Sequence, residues 1–265
     1  MVRHLVEFFS RRAVPGVEEA VGGAYRRSLA LEHGDGVVEV GPGGSTVFTL
    51  DDERDRPAAE RCLRDLFDLD TDTAPVAAAL GHDPLIGQLV RAEPGRRVPG
   101  VVDGNELAVR AVLGQQVSLA GAATLAGRLV AEHGRPLARP VGAVTHVFPE
   151  ASALAAADPS AWAMPQSRAA ALQAVCAADL PLHPQADRDA VRAALLALPG
   201  IGPWTTEYVA MRALRDPDAF LPTDLGVRHA LERLGRDPAA ATAVAEPWRP
   251  FRAYALQHLW ASLAA

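Results

Sequence analysis

Lysine is absent from this chain of 265 residues, so all 26 of its basic side chains are arginines. The accompanying abundance of alanine, glycine, arginine and proline is typical of a GC-rich genome. The chemical consequence does not depend on that origin. Because a Schiff base on a side chain requires a lysine amine, no side chain here can form one.

Cysteines and long apolar runs are scarce as well. The two cysteines, Cys62 and Cys176, are too few for a disulfide-rich scaffold and favour a reducing compartment. No run of about 18 apolar residues is free of charge, which argues against a membrane span. Residues 1–7 lack the long apolar stretch of a signal peptide. We therefore predict a cytoplasmic protein with no membrane partner.

The overall composition is 49% hydrophobic and 22% charged, which is ordinary for a soluble globular protein of two or three small domains. The net charge of −6 argues against a nucleic-acid partner. The charge is uneven, however: 12 arginines stand against 17 acidic residues in residues 1–100, and 14 against 15 in residues 101–265. Because the second part is nearly neutral, a basic face there remains compatible with DNA binding.

A stretch rich in proline, glycine and arginine at residues 93–100 divides the chain into two predicted domains. The first, residues 1–94, alternates helix and strand signals and is predicted to be a small α+β domain with an antiparallel sheet. Its strand-like runs, separated by glycine-rich turns, lie at residues 28–32, 37–40 and 46–50. Residues 17–29 and 56–67 favour helices.

The second domain, residues 95–265, has helical patterns almost throughout. Apolar residues at helical spacing predict helices at residues 104–116, 118–133, 167–178, 187–197, 203–214, 224–234 and 249–263. Ser118 and Asp187 are suitable N-caps for two of them. The alanine-rich residues 151–157 favour a further short helix.

A turn with two closely spaced glycines joins two of the predicted helices, in the segment Leu198-Pro199-Gly200-Ile201-Gly202-Pro203. Glycine permits positive φ and the close approach of another backbone, and proline suits the first turn of the next helix. The N–H groups exposed at such a helix start can hold a DNA phosphate. The turn alone is also compatible with an ordinary connection between helices.

An aspartate and three aromatic residues are further candidates. Asp224 stands at a predicted helix start, where aspartate most often serves as an N-cap. Trp204 and Tyr208 lie four residues apart and therefore share a helix face, and Trp260 arrives on the last helix. Aromatic residues make up only 5% of the chain, so their placement is informative, although core packing explains it as well.

Taken in order, these segments resemble the helix-hairpin-helix DNA glycosylase superfamily. Residues 198–202 are similar to its hairpin, and residues 220–224 supply the aspartate that the superfamily carries downstream of it. Residues 111–118 resemble its first core helices, and residues 249–260 resemble its C-terminal helix. The ordered set is similar to the bacterial DNA-3-methyladenine glycosylases II of the AlkA type.

The resemblance implies an α+β fold in which the small N-terminal domain precedes an all-α glycosylase core of two subdomains, with the hairpin at about residues 195–206. It implies a monomeric, nucleoid-associated enzyme that acts on double-stranded DNA. Such an enzyme flips out an alkylated purine, such as 3-methyladenine or 7-methylguanine, and hydrolyses its N-glycosidic bond. This is the first step of base excision repair.

The resemblance also assigns roles to side chains. Asp224 would be the catalytic carboxylate, which stabilises positive charge on the deoxyribose and orients the attacking water. The base would be bound by Trp204, Tyr208, Trp260, Gln115 and Phe8. Since aromatic rings attract a cationic base by roughly 0.5–2 kcal/mol per good contact, we expect several N-alkylated purines to be accepted, and hypoxanthine weakly.

Gln116 stands where the family places an apolar residue that fills the gap left by the flipped base, so its role as a plug departs from the pattern. The remaining predicted DNA contacts are Gly200, Gly202 and Thr205. The family's hairpin binds Na⁺ or K⁺ through backbone carbonyls, which here are those of Leu196, Leu198 and Ile201. No other cofactor is implied.

The position of Trp204 bears on the product. Relatives that also cut the DNA strand resemble this motif but carry a lysine there, so we predict a monofunctional enzyme that leaves an intact abasic site. Two alternatives remain open: a non-catalytic helix-hairpin-helix module that binds damaged DNA, and a hydrolase of free nucleosides. The abrupt start is compatible with a truncated chain or with part of a fusion to another alkylation-repair unit.

Overall fold

The computed structural model describes residues 3–263, and its first part is built around a four-stranded antiparallel sheet in the order β1-β2-β3-β4. The strands are β1 Glu18–Val21, β2 Ala24–Ala30, β3 Asp35–Val40 and β4 Thr46–Leu50. The last three overlap the predicted strands, whereas the prediction of a helix at residues 17–29 is wrong. Gly22 and Gly23 adopt φ of 57° and 78°, which suits a two-residue hairpin between β1 and β2.

Two helices accompany this sheet, α1 Arg3–Ser10 and α2 Arg56–Leu66. Side chains from both helices and from the sheet, among them Phe9 and Tyr25, form a buried apolar core. The apolar spacing predicts α2 and misses α1. Helix α1 carries Phe8 and is followed closely by Arg12.

The rest of the chain is mainly helical. Its helices are α3 Ala74–Leu80, α4 Gly87–Ala92, α5 Gly104–Leu113, α6 Leu119–His133, α7 Ala151–Ala156, α8 Gln166–Ala177, α9 Arg188–Leu196, α10 Pro203–Arg212, α11 Leu225–Arg233, α12 Ala241–Ala245 and α13 Arg252–Ser262. The predicted helices are confirmed, and Ser118 and Asp187 cap α6 and α9 with their side-chain oxygens. Within residues 3–263, no helix has both the length and the apolar character needed to cross a membrane.

The prediction of an all-α second part is wrong at one place. Strand β5 Arg135–Val141 pairs with β6 Val144–Val147 in an antiparallel hairpin. Its apolar residues, including Val144 and Val147, pack against Val37 of the first sheet in a small separate cluster. The surface that buries them comes from the first part of the chain, and a local signal of this hairpin is its turn glycine, Gly142, with a φ of 58°.

Buried charges join the first sheet to α5. Arg27 on β2 donates to Glu106 Oε2 at 2.7 Å, and Arg110 donates to Glu106 Oε1 at 2.7 Å and contacts Glu18 at 3.0 Å. Burial raises the pKa of Glu106, but the charges of Arg27 and Arg110 outweigh burial and hold that pKa below its ordinary value. The network fixes α5, which leads directly into the loop at residues 114–118.

Candidate active site

A cleft of about 1360 Å³ opens where several loops and helix ends meet. Its walls come from the loop at residues 114–118, from the turn between α9 and α10, from the start of α11 and from the end of α13. Every predicted catalytic, base-binding or DNA-binding residue except Phe8 lines it. The fold thus gathers residues from distant parts of the chain in one place.

Asp224 caps α11 and faces the cleft at the same time. Its Oδ1 accepts the Val227 N–H at 3.0 Å, which confirms the N-cap interpretation. Two indoles also donate to it: Trp260 Nε1–H to Oδ1 at 2.8 Å and Trp204 Nε1–H to Oδ2 at 3.0 Å. Glycine is required nearby, because a Cβ on Gly226 would lie 2.9 Å from the Trp260 ring. Donors on three helices therefore hold a half-buried carboxylate in the cleft.

Two pairs of aromatic rings extend from this carboxylate. Trp204 and Tyr208 stack with their centroids 5.1 Å apart and their planes 9° apart, in agreement with their four-residue spacing. Trp260 stacks on Phe8 at 6.3 Å and 20°. Phe8 does not itself line the cleft; the Arg12 guanidinium lies 3.7 Å from its ring centroid and lines the cleft instead. Phe8 therefore reaches the site through Trp260.

Two arginines that no motif singles out lie at the far ends of these ring pairs. Arg212 donates to the Tyr208 hydroxyl oxygen at 2.8 Å and to two backbone carbonyls at 3.0 and 2.6 Å. Burial raises the pKa of Tyr208, but the charges of Arg212 and Arg12 outweigh burial and hold that pKa below its ordinary value. Each arginine follows its aromatic partner, Phe8 or Tyr208, by four residues, and this repeated spacing is the sequence signal that could have found them.

The loop after α5 is tied to the turn between α9 and α10. The side-chain amide of Gln115 donates to the Gly200 carbonyl at 3.0 Å and to the Thr205 hydroxyl oxygen at 3.1 Å. The backbone carbonyl of Gln115 accepts a hydrogen bond from Arg168 at 2.7 Å. The side-chain amide of Gln115 is therefore engaged with the protein. Thr205 is only 3% exposed, so its hydroxyl contacts Gln115 and not the surface. Gln116 is exposed and has a φ of 56°, a left-handed conformation uncommon outside glycine.

The turn between α9 and α10 presents backbone groups. Gly200 has a φ of 77°, and Gly202 precedes the proline that begins α10, so N–H groups at this helix start lack intrahelical partners. The Leu198 carbonyl accepts the Ile201 N–H at 3.2 Å and keeps a second lone pair. Of the other two residues whose carbonyls are predicted to hold Na⁺ or K⁺, Leu196 ends α9 and Ile201 lies in the turn. Among residues 3–263, no group of three His, Cys, Asp or Glu side chains could hold a metal ion.

Comparisons of the chain with a family model and with known proteins match it to AlkA proteins. Residues 1–103 match the family model described as the AlkA N-terminal domain. Over 261 residues the chain is 48% identical to a "probable bifunctional transcriptional activator/DNA repair enzyme AlkA" of Mycobacterium tuberculosis, covering 95% of this chain and 52% of that relative. The chain thus spans about half the length of the M. tuberculosis relatives that it matches.

Two further matches cover nearly all of both proteins. The chain is 37% identical over 268 residues to DNA-3-methyladenine glycosylase 2 of Escherichia coli, covering 97% of this chain and 92% of that one. Among solved structures, a 3-methyladenine DNA glycosylase from Archaeoglobus fulgidus has the same fold, with a TM-score of 0.83 at 22% identity over 98% of this chain and 94% of that one.

Proposed function

Because the chain belongs to the DNA-3-methyladenine glycosylase 2 (AlkA) family, we propose that it hydrolyses the N-glycosidic bond of alkylated purines in double-stranded DNA. Such an enzyme flips the damaged nucleotide out of the helix and starts base excision repair. The observation that carries the proposal is the Asp224 carboxylate, which donors on three helices hold in a cleft large enough for a purine.

Asp224 has one acceptor direction left for the reaction. A carboxylate offers about four lone-pair directions, and the N–H groups of Val227, Trp204 and Trp260 occupy three of them. As the base leaves, positive charge grows on the deoxyribose, and a fixed carboxylate beside the sugar stabilises it. The same carboxylate accepts a proton from the attacking water.

The stacked rings of Trp204 and Tyr208 form one wall for the flipped base. An electron-rich wall attracts an N-alkylated purine cation by roughly 0.5–2 kcal/mol per good contact. Such a base leaves as a neutral molecule, so the cleft needs no acid to protonate 3-methyladenine or 7-methylguanine. Since Trp204 stands where strand-cutting relatives carry a lysine, and the chain has no lysine, the product is an intact abasic site.

The loop at residues 114–118 and the turn between α9 and α10 hold the DNA. Gln116 fills the gap in the base stack, and Gln115 fixes this loop to the turn. The backbone around Gly200 and Gly202 binds a phosphate at the positive end of α10. The carbonyls of Leu196, Leu198 and Ile201 would hold the Na⁺ or K⁺ ion that completes this contact.

Base release from methylated duplex DNA by the wild type and by Asp224→Asn tests the proposal. Asparagine still caps α11, so we expect the variant to fold and to bind the duplex. Without the negative charge, release of methylated purines, followed by chromatography, should fall by at least about 100-fold. Asp187→Asn is the matched control, because Asp187 caps α9 away from the cleft, and its release rate should equal that of the wild type.

Three outcomes would contradict the proposal. Near-normal release by Asp224→Asn would remove this carboxylate from the mechanism. Tight binding of methylated DNA by the wild type without release would indicate a non-catalytic binding module. Cleavage of free nucleosides with no action on the duplex would indicate a nucleoside hydrolase.

A further inference from the structure

The cleft has a carboxylate at one end and guanidinium groups at the other. The two rows of contacts are Asp224–Trp204–Tyr208–Arg212 and Asp224–Trp260–Phe8–Arg12. A base that enters between these rows with its sugar at Asp224 points its far edge towards the arginines. Aromatic attraction for a cation is therefore only part of the electrostatics of this cleft.

Among the arginines that line the cleft, Arg12 keeps donors that the protein does not use. Arg110 is paired with two buried carboxylates, and Arg212 donates to the Tyr208 hydroxyl and to two carbonyls. Within residues 3–263, the Arg12 guanidinium makes one hydrogen bond, to the Phe8 carbonyl at 3.1 Å, and no salt bridge. Burial lowers the pKa of Arg12, but an arginine stays charged in a protein. A guanidinium carries five N–H donors, so most of them remain for a ligand in the cleft.

The positive charge of Arg12 acts differently on an N-alkylated base, which is cationic, and on a base that is neutral. An N-alkylated purine is cationic before the bond breaks and neutral afterwards, so a nearby guanidinium repels the bound base. A neutral purine takes the electron pair of the C1′–N9 bond and leaves as an anion. In a 6-oxopurine that charge spreads onto O6, where a guanidinium N–H can stabilise it in the transition state. A 6-aminopurine presents N–H donors at the same edge and gains no such bond.

We infer that Arg12 is a specificity-determining residue whose guanidinium donates to O6 of a neutral 6-oxopurine and so allows this cleft to cleave bases that leave as anions. The water oxygen bonds to C1′, its proton passes through Asp224 to solvent, and the released purine anion takes a proton from water. The inference rests on the proposed function, since it concerns the same cleft and the same bond.

Single-turnover excision by Arg12→Gln tests the inference on two substrates: a duplex with one deoxyinosine, which releases hypoxanthine, and a methylated duplex. We expect hypoxanthine release to fall by about tenfold or more, and release of 3-methyladenine to stay within a factor of about two or to rise. Arg11→Gln is the matched control, because Arg11 is exposed and lies outside the cleft, and both of its rates should equal those of the wild type.

Arg12→Lys is a second variant that keeps the positive charge at this position and is available if Arg12→Gln does not fold. It keeps the positive charge but loses the planar fork, so hypoxanthine release should fall less than in Arg12→Gln, again without a loss on methylated DNA. If Arg12→Gln does not fold, as judged by circular dichroism, the comparison of the two substrates with Arg12→Lys still decides the matter.

The inference is overturned if hypoxanthine release is unchanged in both variants, or if both substrates slow by the same factor, which would indicate a structural role. Failure of the wild type to release hypoxanthine, with methylated purines released normally, also overturns it and leaves the proposed function intact. Failure of the wild type on methylated DNA contradicts the proposed function and removes the basis of the inference.

Discussion

Hydrogen bonds from indoles determine where the Asp224 carboxylate points, and a single substitution isolates one of them. Trp260→Phe keeps a ring against Phe8 but removes the donor that lies 2.8 Å from Oδ1. A carboxylate that is less well fixed stabilises the transition state less. We expect the single-turnover rate of methylated-purine release to fall by about tenfold, with little change in the affinity for DNA.

Trp248→Phe provides the comparison for this substitution. The Trp248 indole is buried and donates to Asp83 Oδ2 at 3.0 Å, outside the cleft. Its loss should reduce the free energy of unfolding by about 1–3 kcal/mol and leave the release rate unchanged. Equal rate losses in the two variants would show that the Trp260 effect is one of general stability.

Three residues of the cleft show how far the contacts of a single residue can be predicted from the sequence. Local spacing placed Asp224 at a helix start, but its contact with Trp260 depends on a helix from the end of the chain. Composition does not single out Arg12, because all 26 basic residues are arginine, and only its four-residue spacing from Phe8 distinguishes it. The resemblance predicts that Gln115 binds the base, and the structure adds that its amide N–H groups bind Gly200 and Thr205, a contact that only the folded chain creates.

At the scale of elements, substitutions of two glycines in the turn between α9 and α10 distinguish an effect on folding from an effect on the proposed phosphate contact. In Gly200→Ala the new Cβ would lie 2.8 Å from Ala171 Cβ, and residue 200 would have to keep a φ of 77°, which is unfavourable for alanine. We therefore expect this variant to lower the free energy of unfolding by about 1–3 kcal/mol. A Cβ on Gly202 meets nothing within 4 Å, so Gly202→Ala should change stability by less than about 0.5 kcal/mol. Its methyl group lies where a phosphate would approach, so the affinity for duplex DNA should fall.

Urea unfolding and DNA titration of both variants check these expectations. A destabilised Gly202→Ala would show that the turn is more crowded than its geometry indicates. A Gly202→Ala of wild-type stability and wild-type affinity would contradict a phosphate contact at this position.

Elements whose signals are local were predictable, and those that depend on distant partners were not. Ser118 and Asp187 mark helix starts with their own side chains, and the helices that follow them are confirmed. The run that forms β1 and β2 has apolar residues at a spacing that favours a helix, and the hairpin glycines Gly22 and Gly23 are the local signal against it. For strands β5 and β6 the local signal is limited to the turn glycine Gly142, since Val37 supplies the surface that buries their apolar residues.

At the scale of the whole molecule, a buried histidine makes stability depend on pH. Burial, with the charges of Arg96 and His4, lowers the pKa of His258 from 6.5 to about 4. Between these values the unfolded chain binds a proton that the folded chain does not, so stability is full above pH 6.5 and is lost as pH falls towards 4. We expect this group alone to reduce the free energy of unfolding by about 2 kcal/mol between pH 7 and pH 5.

Urea unfolding at the two pH values measures this loss. His258→Gln should remove the corresponding part of the pH dependence, whereas His82→Gln, at an exposed position, should retain it. An unchanged pH dependence in His258→Gln would show that other groups account for the acid sensitivity.

The buried charges that join the first sheet to α5 set a limit on modular exchange between relatives. A chimera whose α5 lacks Glu106 and Arg110 would remove the partners that Arg27 and Glu18 have across this junction. Arg27 would keep Glu18 at 3.6 Å within the sheet, so neither charge would be left alone, but each would lose a charged hydrogen bond worth about 1.5–3 kcal/mol. The sheet and α5 therefore keep all of these contacts only when they are grafted together.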